Sequence, residues 1–230
     1  AESIYAGRLD ANNTGEKAFS ISNRCEIGTI TLDDPIQIKK ALEKDTLDEW
    51  KEIEVNERAK ILNLIADDLE NNPYELIYFL INEAGKTIQN AIDEIREAVD
   101  FLRYYSSQSI ELFNNTELNG PTGEDNQMSF TPKGTFLCIS PWNFPVAILI
   151  GQISAALSCG NRVIVKPSEY SSILGYLVVK KFHDHGVPIS ALSLILGDGL
   201  YGDFLTKIRP LHGVAFTGSL PTAKKIQANI

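Results

Sequence analysis

Between residues 135 and 230, short β-rich runs alternate with helical stretches, and this constrains the fold more than any other feature of the chain. The β-rich runs are 135–140, 162–166, 192–196 and 213–217. The helical stretches are 146–159, 171–185, 201–208 and the segment from Ser219 onward. Strands separated by helices of this length are built as βαβ units around a parallel sheet covered on both faces. The run Val163-Ile164-Val165 fits a strand buried on both sides. Right-handed crossovers then set the helices against the sheet, and the loops after the strand ends become the ligand edge.

The preceding part of the chain has another character. Residues 1–45 show little periodicity and many turn formers, among them Asn12-Asn13-Thr14-Gly15 and Asp33-Asp34-Pro35, and are expected to form an extended arm. From Asn56, an expected N-cap, a helical period begins with Ile61, Leu62, Ile65 and Leu69 on one stripe. Asn71-Asn72-Pro73 ends that helix, Pro73 starts a second at its first position, and Gly85 terminates the second. Thr87 then caps a long helix whose apolar positions run through Ile88, Ala91, Ile92, Ile95, Ala98, Val99, Leu102 and Tyr105. Its polar positions Asp93, Glu94, Arg96, Glu97 and Asp100 read as a solvated face. Residues 114–131, with Gly120-Pro121-Thr122-Gly123, read as a connector holding at most an edge strand. The chain thus divides into an arm (1–45), a helical segment (46–113), a connector (114–131) and an α/β region (132–230).

Charge and cysteine content narrow the function. The 230 residues carry a net charge of −9, which argues against nucleic acid or an anionic membrane as partner. Residues 1–130 hold 26 acids against 12 bases, whereas residues 131–230 hold 4 against 9, so the α/β region suits an anionic ligand. No apolar run approaches the roughly 20 residues that span a bilayer, and the first residues lack the pattern of a secretory signal. Three widely spaced cysteines, Cys25, Cys138 and Cys159, suit a reducing cytoplasm. No metal-ligand spacing is present, and His183, His185 and His212 read as surface or loop residues.

The unusual residue combinations all follow strands. In Ser140-Pro141-Trp142-Asn143-Phe144-Pro145 two prolines stiffen the turn, and the apolar neighbours are expected to hold the Asn143 amide in a cleft where it could stabilise an oxyanion. In Lys166-Pro167-Ser168-Glu169 a lysine and a carboxylate three residues apart suit a ribose diol, and the carboxylate would repel a 2′-phosphate, favouring NAD over NADP. The same tetrapeptide is also a good helix start. In Phe216-Thr217-Gly218-Ser219 the glycine allows close backbone approach to a phosphate at a helix amino end. No G-x-G-x-x-G occurs.

These three loops in this order resemble the aldehyde dehydrogenase superfamily. The resemblance extends back through Glu83-Ala84-Gly85-Lys86-Thr87, residues 98–105 and Gly120-Pro121-Thr122-Gly123-Glu124. It is strongest to the branch that oxidises L-glutamate γ-semialdehyde in proline catabolism, over residues from about 50 to 230. It implies an aldehyde-dehydrogenase-like α/β fold, in which an N-terminal helical segment precedes a Rossmann-like parallel sheet with helices on both faces. By this resemblance Asn143 is the oxyanion-hole amide, and Ser140 and Trp142 pack beside NAD. Lys166 and Glu169, with Ser168 nearby, hold the adenosine ribose, and Gly199 belongs to the adenine-side wall. Phe216, Gly218 and Ser219 form the pyrophosphate turn, although Leu220 and Pro221 replace the commoner Thr-Glu.

In the family's order the nucleophilic cysteine and general-base glutamate come after residue 230, in a separate catalytic domain. This stretch alone is therefore expected to be inactive, its partners being NAD, a small aldehyde and that catalytic domain; the family also allows a homo-oligomer. FAD belongs only to a separate proline dehydrogenase domain of the bifunctional branch. Cys138 and Cys159 are expected to be structural. The alternatives are another semialdehyde or aliphatic aldehyde as substrate, or a remnant that binds no cofactor.

Overall fold

The structure, a computed structural model, describes residues 1–5, 15–44, 49–114 and 116–230. Four parallel strands form the centre: β5 (Thr135–Ile139), β6 (Arg162–Lys166), β7 (Leu192–Leu194) and β8 (Gly213–Phe216), in the spatial order β7-β6-β5-β8. The preceding strands are paired elsewhere. β1 (Glu16–Phe19) and β2 (Glu26–Ile30) form one antiparallel ribbon, and β3 (Thr116–Leu118) and β4 (Asn126–Met128) form another. The connector therefore holds a hairpin where at most one edge strand was expected. Its turn carries Gly123 in the left-handed region (φ 98°), which reverses the chain within a few residues.

The helices are α1 (Pro35–Lys44), α2 (Val55–Asn71), α3 (Tyr74–Asn82), α4 (Ile88–Phe113), α5 (Ala147–Ser158), α6 (Ser172–Asp184), α7 (Gly199–Leu205) and α8 (Leu220–Asn229). Thr87 caps α4 as expected, its hydroxyl accepting from the Asn90 N–H at 3.2 Å. Asn56 does not cap α2; that helix begins one residue earlier, after an extended Glu54. Pro73 precedes α3 instead of opening it.

The sheet separates two apolar layers because successive side chains in a strand point to opposite faces. Cys138, Val163 and Val165 pack into one large core with α2, α3, α4, α5 and α6. Leu137 and Ile164, one position along, face a smaller core containing Ile38 and Leu42 of α1 and Leu205 of α7. Residues 35–44 are thus a helix and not part of an extended arm. Ile38 and Leu42 stand at i and i+4, so one helix face covers the bare side of the sheet. Asn12, Asn13 and Thr14 of the expected turn lie outside the described residues.

Helix α5 is held at both ends by the helical layer. Glu94 of α4 accepts from the N–H groups of Val146 and Ala147 at 2.8 and 3.1 Å. At the other end the Ser158 carbonyl accepts from Arg58 Nε at 3.0 Å and the Leu157 carbonyl from Trp50 Nε1 at 2.8 Å. An anion at the amino end and a cation at the carboxyl end both suit the helix dipole. Glu94 was read as solvated, but it is 1% exposed. Among the described residues no helix is long and apolar enough to cross a membrane.

Candidate functional site

The strand order places a crevice at one point. From β5 the chain moves outward to β6 and β7, then returns to the far side of β5 for β8. The loops after β5 and β8 therefore diverge at the carboxyl ends of neighbouring strands, where doubly wound sheets leave room for a ligand. A cleft of about 340 Å³ lies there, walled by α7 and α8.

The cleft gathers residues from every strand-end motif. Ser140 and Trp142 come from the loop after β5; Lys166, Ser168 and Glu169 end β6; Gly199 opens α7; Phe216, Gly218 and Ser219 follow β8. All nine line it. Asn143 does not: it is exposed and outside the cleft lining, so the expected buried amide is not found within the described chain. The physical reason is that Trp142 and Phe144, which were to enclose it, are themselves 60% and 40% exposed.

Lys166 is 4% exposed, and its ammonium donates to the Pro167 carbonyl at 2.9 Å. Burial pushes its pKa below the usual lysine value, while Glu169 and Asp198 pull the other way. The Ser168 hydroxyl accepts from the Tyr170 N–H at 3.3 Å and caps the short turn beyond β6. The turn is pressed tightly against α6, since a Cβ on Gly175 would stand 2.5 Å from Pro167 Cγ. The Ser140 hydroxyl is buried at 4% exposure and has no hydrogen-bond partner among the described residues. A buried hydroxyl left open in a cleft is a group a ligand can satisfy.

Helix α8 opens with Ser219, whose hydroxyl accepts from the Thr222 N–H at 3.4 Å. Thr222, Lys225, Ile226 and Asn229 also line the cleft, and the sequence reading missed them. Their i, i+3, i+4 spacing from Ser219 along a helix was the available clue. Gly202 and Asp203 of α7 complete that wall. Hydrogen bonds from Lys207, Asn229 and Lys225 hold the Asp203 carboxyl well below the usual carboxylate range.

The donor set suits a dinucleotide. A buried ammonium and a carboxylate stand together at the end of β6, and an unsatisfied hydroxyl follows β5. The amino end of a ten-residue helix follows β8. A Cβ on Gly199 would meet nothing within 4 Å, and one on Gly202 would touch the Lys166 stem at 3.5 and 3.7 Å, so the two glycines leave this wall open beside Lys166.

The cysteines and His212 lie outside the cleft lining. Cys138 is buried in β5, its thiol pushed up to about 12 by burial. Cys159 is partly buried just past α5, and Cys25 is exposed. The His212 Nδ1 accepts from the Thr135 N–H at 2.9 Å, joining the loop before β8 to the start of β5.

Comparison with known proteins agrees with the fold. The bifunctional protein PutA of Salmonella typhimurium is 42% identical over 182 residues, covering 79% of this chain and 13% of that protein. The 1-pyrroline-5-carboxylate dehydrogenase 1 of Halalkalibacterium halodurans is 32% identical over 196 residues, covering 84% of this chain and 38% of that one. The solved structure of a mutant of Thermus thermophilus 1-pyrroline-5-carboxylate dehydrogenase superposes with a TM-score of 0.90 at 28% identity, over 99% of this chain and 45% of its own. The chain spans less than half the length of each of these. Residues 10–230 match the Aldehyde dehydrogenase family, and with the parallel sheet and its cleft already in place, the chain belongs to that family.

Proposed function

We propose that this chain is the cofactor-binding part of an NAD-dependent dehydrogenase that oxidises L-glutamate γ-semialdehyde to L-glutamate in proline catabolism. The observation that carries the reading is the convergence of nine residues, chosen from three separate loops and one helix start, on a single cleft. NAD bound there would supply the hydride acceptor. The Lys166 ammonium would donate to the adenosine ribose and the Glu169 carboxylate would accept from its diol, disfavouring a 2′-phosphate. Ser219 and the amino end of α8 would face the pyrophosphate, with Gly218 allowing close approach and Phe216 packing beside it. Ser140 and Trp142 would flank the dinucleotide, and Ser168 and Gly199 would complete the adenosine side.

Asn143 stands exposed in its loop and would present its amide to a reacting carbonyl held partly by another domain. The nucleophile and base belong to such a domain in this reading, so the 230-residue chain alone would not turn over aldehyde. The division at 45, 113 and 131 and a cytoplasmic location belong to the same proposal.

Calorimetric titration of the chain with NAD+ and NADP+ tests it. Saturable binding is expected, tighter for NAD+, and weakened about tenfold or more by Lys166→Ala or Glu169→Ala, the loss of one charge-assisted hydrogen bond. A folded chain that binds neither dinucleotide overturns the cofactor assignment. NADH formed from aldehyde at an enzymatic rate by this chain alone overturns the assignment of nucleophile and base elsewhere.

A further inference from the structure

Two buried glutamates lie outside the cleft, yet each ends on backbone just behind one of its loops. Glu83, following α3, is 7% exposed, and its two carboxylate oxygens accept from the Ile173 and Leu174 N–H groups at 2.8 Å each. These groups belong to the first turn of α6, shortly after Ser168-Glu169. Glu94 reaches the Val146 and Ala147 N–H groups at the start of α5, directly after the Ser140–Phe144 loop. Its other oxygen is paired with Lys86 Nζ at 2.6 Å, and that ammonium lies 4.1 Å from the centroid of the Phe144 ring.

The choice of a distant carboxylate is informative. Helices α4, α7 and α8 are capped by their own Thr87, Asp198 and Ser219. Helices α5 and α6 have no side-chain cap from their own N-cap residues. They receive one from residues 52 and 90 positions earlier. Burying a carboxylate is expensive, and an N-cap hydroxyl would satisfy one of these N–H groups at less cost; at α6 the N-cap Ser171 hydroxyl instead donates to the Ser168 carbonyl at 3.3 Å. What the distant carboxylate adds is registration: it ties the origin of the helix, and the loop leading into it, to the rigid helical layer.

We propose that Glu83 and the Glu94–Lys86 pair are positioning residues of the cofactor cleft, each setting one loop. Glu83 sets the Lys166–Glu169 turn through α6, because Gly175 lets that helix pack directly against Pro167, so the turn rests on the helix surface that Glu83 fixes. Glu94 sets the Ser140–Phe144 loop through α5, and Lys86 holds the same loop at the Phe144 ring. The inference rests on the reading of the cleft as a dinucleotide site and names what holds that site in shape.

Amide hydrogen exchange on the whole chain, with NAD+ titration alongside, tests it. Glu83→Gln keeps the shape but leaves one α6 N–H without an oxygen acceptor. It is expected to speed exchange about tenfold in residues 168–174 and to leave 142–147 unchanged. Glu94→Gln is expected to give the reverse pattern. Glu83→Asp and Lys86→Met are the second variants for each loop if the first does not fold, with the same loop-specific pattern expected. Each variant is expected to weaken NAD+ binding about tenfold.

Loosening of both loops together, or of neither, overturns the proposal, since a general loss of stability does not distinguish the loops. A loop-specific change with unaltered NAD+ affinity also overturns it. If the unaltered chain binds no NAD+, the cofactor assignment falls, while the exchange pattern still decides whether each glutamate sets its own loop.

Discussion

The two faces of the central sheet are closed in different ways. On one face α4, α5 and α6 are joined through buried charge: Glu94 and Glu83 end on helix N–H groups and Arg58 on a helix carbonyl. On the other face α1 and α7 lie on the sheet mainly through apolar side chains, with directional ties that end on backbone carbonyls. Among these ties are the Tyr201 hydroxyl donating to the Asp33 carbonyl at 2.8 Å and Arg162 Nη1 donating to the Leu42 carbonyl at 3.2 Å. The first arrangement specifies where each helix begins, whereas the second tolerates small shifts as long as volume is filled. The loops that build the cleft after β5 and β6 lead into the helices of the first face.

Replacements on the two faces should therefore differ in size and kind. Glu94→Ala strands the Lys86 ammonium and two helix N–H groups and is expected to cost about 3–5 kcal/mol in urea unfolding. A cost near zero would mean that α5 is not held by charge. On the second face Ile38→Ala removes a fully buried side chain and is expected to cost about 2–4 kcal/mol through lost burial and a cavity, with its cleft loops still protected in hydrogen exchange. Equal loosening of the Lys166–Glu169 turn would erase the distinction between the faces.

The smallest effect is the one that depends on pH. Burial pushes the Glu83 carboxyl up to about 7, against the pull of the Ile173 and Leu174 N–H groups. The folded chain thus keeps a proton that the unfolded chain releases near its ordinary value of 4.5. The stability from this group is complete below the unfolded value and is lost as pH rises through the folded one. Unfolding measured at about pH 5 and about pH 7 should show about 2 kcal/mol less stability at the higher pH, and Glu83→Gln should abolish that component. A pH dependence unchanged in the variant would assign it to other groups.

The first face was legible in sequence because its strands and helices are long enough to show their periods. Val163-Ile164-Val165, the Leu62, Ile65 and Leu69 stripe and the Thr87 cap all fell close to their observed places. The second face was not. Helix α1 buries only Ile38 and Leu42 fully within ten residues, while Ile36 faces solvent and blurs the period beside an Asp-Asp-Pro turn. Glu94 was misread although it stands three residues after Ala91 and four before Ala98, within the apolar stripe. A carboxylate on that stripe makes sense only once its N–H partners, 52 residues on, are known.

The loops that hold most of the cleft residues were legible because strand-end loops converge in any fold of this order, whereas Ser140, Trp142, Ser168 and Gly199 were named only through the family resemblance. The outward stance of Asn143 was not legible. It depends on how Trp142 and Phe144 find cover, which the order of strands does not decide.

Residues 3–5 lie along the outer edge of β7. Ile4 exchanges two backbone hydrogen bonds with Leu194, at 2.8 and 2.6 Å, and the Ser3 hydroxyl accepts from the Leu196 N–H at 3.0 Å. This latch joins residues 193 positions apart, so it closes a very long loop and can form only once β7 has been made. During synthesis these residues emerge long before β7, and they must wait, unpaired, for a strand that is still to be made. An exposed β7 edge would meanwhile be open to pairing with another chain, and the latch is what covers that edge.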